Sequence, residues 1–122
     1  MLEQAYAGDN LIAGNAHPLT GQTVTVKSGE GKLERGSVLM RDTNGKYVLA
    51  DTSAGTAEVI LAADVDATSA DTVAEVYNSG EFSESALKVA SGYTLTDADR
   101  VNLKNAGVYI EIPVSMMVAS SL

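Results

Sequence analysis

The feature that most constrains this chain is a two-residue apolar rhythm, cut into short pieces by glycine and asparagine. In Thr23-Val24-Thr25-Val26 the valines alternate with threonines, the pattern of a strand with one buried face. Val38 to Arg41 and Lys46 to Ala50 repeat it on either side of Thr43-Asn44-Gly45. Asn-Gly suits the positive φ angles of a tight hairpin turn, so these two pieces predict a hairpin. Residues 57–63 form an almost fully apolar strand, which predicts cover on both faces. Residues 72–78 read as a further strand, and Ser79-Gly80-Glu81-Phe82 reads as a turn. Together these pieces read as a succession of short strands.

One segment breaks the rhythm. In residues 96–106 Thr96 can cap a first turn, with Asp99 at the capping-box position and Gly107 as the C-terminal stop. Asp97, Arg100 and Lys104 share a polar face; Leu95, Ala98, Leu103 and Ala106 fall opposite and predict the buried side. Strand rhythm returns with Val108, Ile110 and Ile112 facing one way, and Pro113 places this strand at an edge or ends it. The apolar run 115–122 fits either a neighbour's surface or closure of the domain.

Residues 1–20 carry no sustained period, and Gly8, Gly14 and Pro18 interrupt them. They predict an extended arm whose stickiest part is Leu11-Ile12. The alternative is a first strand tucked into its own domain. The expected division is therefore 1–20 as arm and 21–122 as β-rich domain.

Composition excludes several functions. The chain has no cysteine, hence no disulfide and no thiolate zinc site. No basic region precedes a long apolar run at the N-terminus, and no apolar run reaches bilayer length; we expect no signal peptide, no membrane partner, and a soluble chain made in a cytoplasm. Net charge is −8. Residues 1–50 balance five acids with five bases, whereas residues 51–122 hold eleven acids and three bases. Such a surface repels phosphate and argues against direct nucleic-acid binding.

The candidate chemical motifs fail on their own terms. Asp64, Asp66, Thr68 and Glu75 mimic positions 1, 3, 5 and 12 of a calcium loop, but Ser69 stands where the sharp turn needs glycine. We read Asp64, Asp66 and Asp71 as wetting acids in a connector between two strands. Gly29-Glu30-Gly31-Lys32 lacks both the earlier glycine and the following Ser or Thr of a phosphate loop; it reads as a loop. His17 is the one imidazole and lies in the arm, a poor place for an oriented base. Ser37 lacks the second glycine of a nucleophile elbow. No catalytic residue, metal or cofactor is expected, and the chain does not read as an enzyme.

Several segments together resemble the head decoration proteins of tailed bacteriophages. They are DNLIAGNAHPLT with TVTVKSG, LERGSVLMRDTNGKYVLAD, VILAADVDATSADTVAEVYNSGEF with SALKV, and LKNAGVYI. The resemblance spans about residues 9 to 112, with Lys88-Val89 departing from the Trp-Pro ending of the lambda protein. It implies a mostly-β fold, a small β-clip-like or barrel-like domain, and a homotrimer at three-fold and quasi-three-fold positions of the expanded head. It implies the major capsid protein as partner and a place on the outer surface of the virion after assembly in the host cytoplasm. It also implies a capsid-binding arm, whose contacts we place at Tyr6, Asn10, Leu11, Ile12, Pro18 and Leu19. The protein would then be a cement that holds the head against packaged DNA. The rival reading is a small trimeric β-module of a phage tail or fibre that recognises a surface ligand. Such a module needs a pocket furnished with aromatics, and this chain has one Phe, five Tyr and no Trp.

Overall fold

The computed structural model describes residues 11–14, 18–52 and 55–111. Nine strands and one α-helix are found among them: β1 Ile12–Gly14, β2 Thr20–Val26, β3 Gly31–Leu33, β4 Val38–Arg41, β5 Tyr47–Leu49, β6 Thr56–Leu61, β7 Val65–Ala67, β8 Thr72–Ser83, α1 Asp97–Ala106 and β9 Val108–Glu111. The mostly-β expectation holds, with its single helix near the C-terminus.

Five strands close on themselves. The order β8-β2-β5-β4-β6 returns to β8 through Ile60↔Tyr77 and Leu61↔Val76. The result is a small barrel with apolar packing on both sides of its wall. Val26, Leu39, Tyr47, Val59, Leu61, Ala74 and Val76 form one cluster, in the lumen. Val38, Met40, Val48, Ala57, Ile60 and Tyr77 point outward into a second cluster with Leu11, Phe82, Leu95, Leu103 and Val108. That explains why β6 reads as continuously apolar: Val59 and Leu61 look in, while Ile60 looks out, and all three are buried. Ala57 and Ile60 share the outer side although three residues apart. The ladder with β4 skips Glu58, pairing Leu39 with Val59 and Met40 with Ala57, so a bulge resets the alternation. The skipped Glu58 is put to use: its carboxylate accepts from Tyr47 Oη at 2.8 Å and from Arg41 Nε at 2.8 Å.

The β4–β5 hairpin turns as expected. Asp42 N donates to Lys46 O, Gly45 N donates to Asp42 O, and Gly45 takes φ +80°. The α1 capping box is also present. Asp99 N donates to Thr96 Oγ1, Thr96 N donates to an Asp99 carboxylate oxygen, and Gly107 closes the helix at φ +106°.

Four readings need correction. β8 runs twelve residues straight through Ser79-Gly80-Glu81-Phe82, where a turn was expected; Gly80 sits at φ +144° inside the strand. The Gly29–Lys32 loop contains the start of β3, and the connector carrying Asp64, Asp66 and Asp71 contains β7. The two pair as a separate ribbon, Gly31↔Ala67 and Leu33↔Val65, whose Leu33 and Ala67 join the lumen cluster. Residues this short fall below the length at which alternation can be read. The buried side of α1 is also different: Leu95, Asp99 and Leu103 are buried, while Ala98 and Ala106 are exposed. Asp99 lies inward because Thr96 N and Tyr93 Oη both donate to it, and an acid with two donors tolerates burial that an unpartnered one does not. The expectations for Ile112, Pro113 and residues 115–122 lie outside the described residues.

Candidate functional site

The N-terminal stretch meets the body along the second half of β8. β1 pairs antiparallel there, Ile12↔Phe82 and Gly14↔Glu81, and β9 pairs parallel on the other side, Phe82↔Ile110. Of the two readings offered for Leu11-Ile12, the tucked strand describes residues 11–14. Leu11 is 1% exposed within the outer cluster, and its carbonyl accepts from Ser83 N at 2.9 Å. Ile12 is half-buried and packs on the same cluster. Two glycines make this seat possible. A Cβ on Gly14 would lie 2.4 Å from Glu81 Oε1. A Cβ on Gly80 would lie 2.8 Å from Leu19 Cδ1 and 3.1 Å from Phe82 Cζ.

Further along, the chain is stapled to β8 again. Pro18 is exposed, and its carbonyl accepts from Ser79 Oγ at 2.7 Å. Leu19 is half-buried against the outer cluster. Thr20 Oγ1 lies 2.6 Å from both Asn78 Oδ1 and Ser79 Oγ. Four of the six candidate arm residues thus lie on one strip of β8; Tyr6, Asn10 and His17 are outside the described residues. The receiving residues Asn78, Ser79, Gly80, Glu81 and Phe82 were missed because a glycine in an apolar run reads as a turn. The signal available was the chain's only Phe at the end of a run already carrying Val73, Val76 and Tyr77.

The three connector aspartates serve three different places. Asp64 Oδ1 accepts from Arg35 N at 2.8 Å. Asp66 Oδ1 accepts from Thr68 Oγ1 at 2.6 Å and from Thr68 N; these bonds hold its carboxyl below the usual aspartate range. Asp71 Oδ2 lies 2.7 Å from Lys46 Nζ, and its Oδ1 accepts from Ser28 N. The Lys46 bond, and then Ser28, likewise hold Asp71 low. Asp64 and Asp71 tie the connector to other segments while Asp66 braces a turn within it, so these side chains do structural work. Ser37 is 2% exposed and donates from Oγ to Glu34 O at 2.6 Å, a tie within its own loop. Burial pushes the Tyr47 hydroxyl up to about 12, with the Glu58 bond adding to the shift. Arg35 lies 5.4 Å from the centre of the Tyr77 ring. These groups are used inside the fold.

A family model described as bacteriophage lambda head decoration protein D matches residues 1–108. The chain belongs to that family. The match takes in the whole docked strip, β1 through β8, and α1, and stops at the first residue of β9. No curated protein matches the chain. Membership of the head decoration family makes this a phage head decoration protein, found on the capsid surface of the virion, and structural in kind.

Proposed function

We propose that the protein is a capsid cement that sits as a homotrimer at three-fold and quasi-three-fold sites of the expanded head. It binds the major capsid protein and resists the outward pressure of packaged DNA. The observation that carries this reading is the position of β1. Among the described residues it is an edge strand whose one partner is β8, and it lies directly after residues 1–10. An arm leaving an anchored edge strand starts from a fixed point on the body and can add to a sheet of the capsid subunit.

The energetics favour three arms over one. Ordering a residue costs about 1–2 kcal/mol, and a backbone bond returns about 1 kcal/mol. Leu11 is already buried in its own domain, so its apolar surface is not available to the shell. One arm is therefore a weak tether. On a trimer the second and third arms bind at high effective concentration, and avidity replaces affinity. The acidic body keeps the protein off the packaged nucleic acid.

The test is removal of residues 1–10, which spares Leu11 and β1. The truncated chain should fold as the parent does and fail to co-sediment with expanded empty heads. Saturation of heads at the parent's concentration would show that the arm is not the tether.

A further inference from the structure

The barrel wall is covered unevenly. The outer faces of β4, β5 and β6 lie under Leu11, Phe82, Leu95 and Leu103. Among the described residues, no such cover lies on the outer face of β2 and the first half of β8. Thr23↔Glu75 and Thr25↔Val73 are its register pairs, and Val73 is 67% exposed. Val101, on the outward side of α1, is 55% exposed, and these two are the large apolar residues left exposed among the described residues.

We propose that these two patches bind each other between copies of the chain: the outward side of α1 of one subunit seats on the β2–β8 face of the next. The charges match in one orientation. On the sheet, Val73 lies between Glu75 and the Asp71–Lys46 pair. On the helix, Val101 lies between Asp97 and Lys104, so Lys104 meets Glu75 while Asp97 turns toward Lys46. The spacings agree as well. Residues two apart on a strand are separated by about 6.7 Å, and Val101 and Lys104, three apart on a helix, by about 5–6 Å. Because the two patches differ, the contact is head-to-tail, which closes a ring or grows a filament. α1 packs on β6, and β6 is the ring neighbour of β8. The patches therefore lie on adjacent sides of the barrel, the arrangement that closes a small ring. The closure at three subunits rests on the trimer proposed above; the pairing of the patches does not.

The chain has no cysteine, so introduced thiols report unambiguously. A chain carrying Val73→Cys and Val101→Cys, oxidised in solution at high protein concentration, should give covalent dimers and trimers and stop there. Each single-cysteine chain should stay monomeric. A double-cysteine chain that remains monomeric, or dimers formed by Val73→Cys alone, would overturn the pairing; a ladder running past the trimer would overturn the ring. Introducing Glu75→Lys or Lys104→Glu should slow cross-linking by about two- to fivefold, and the two together should restore it. No recovery in the double swap would equally overturn the pairing. The assay contains no heads, so its failure leaves capsid binding through the arm intact, and failure of the arm truncation leaves the pairing of the patches intact.

Discussion

Leu11 is the residue at which arm and domain meet, and truncating it measures where the fold begins. Its side chain is 1% exposed, in a cluster with Phe82, Leu103 and Val108. Leu11→Ala removes three carbons, worth about 2.4 kcal/mol at about 0.8 kcal/mol per buried methylene. A cavity of roughly 60 Å³ left unfilled adds about 1.5 kcal/mol. The expected loss is therefore about 2.5–4 kcal/mol, the lower end applying if β1 settles into the gap. A domain of this length has about 6–18 kcal/mol in total, so the loss is a large share. With a urea slope near 2 kcal/mol per molar, the unfolding midpoint should drop by about 1–2 M. Urea unfolding followed by far-UV circular dichroism reads this directly, with the chain lacking residues 1–10 as control, expected within about 0.5 kcal/mol of the parent. A midpoint drop under about 0.5 M for Leu11→Ala would mean that Leu11 is not part of the core, and the anchored-arm argument would go with it.

Three other outcomes follow from the same structure. Gly80→Ala should cost about 1–3 kcal/mol in urea unfolding, because the residue holds φ +144° and its new Cβ would press on Leu19 and Phe82. Thr96→Ala should cost about 1 kcal/mol by the same measurement while Thr96→Ser stays near the parent, since the α1 cap needs the hydroxyl that accepts from Asp99 N. Asp66 and Asp71 both titrate lower in the folded chain than in the unfolded one. Their stabilisation is present above the unfolded value of about 3.9 and is lost as pH falls through the depressed folded values. The melting temperature should therefore fall below about pH 4, and less steeply in Asp71→Asn.

Much of the fold was legible because local rules and burial agreed. Thr96, Asp99 and Gly107 mark the helix by capping chemistry that acts within four residues. Asn44-Gly45 marks the hairpin for the same reason. The continuous apolar run of β6 announced cover on both faces, and the two clusters supply it. The errors fall where a distant partner decides. Gly80 reads as a breaker until Leu19 and Phe82 are seen crowding its α-hydrogen side. Asp99 reads as a capping-box acid, and its burial is understood only once Tyr93 is placed beside it. Of the candidate arm residues, Leu11 could be picked as sticky, but not assigned to its own core.

By itself, the sequence determined the class of this protein: a cysteine-free, acidic, mostly-β chain with one capped helix and the ordered segments of a head decoration protein. Those properties are local in the chain or summed over it, so no folded neighbour is needed to read them. Only the tertiary structure decided that β8 runs unbroken, that β6 and β8 close the barrel, and that Leu11 is buried in the cluster on its outer wall. Pairing between strands separated by tens of residues leaves no mark on either strand alone, because each backbone offers the same donors and acceptors to any partner.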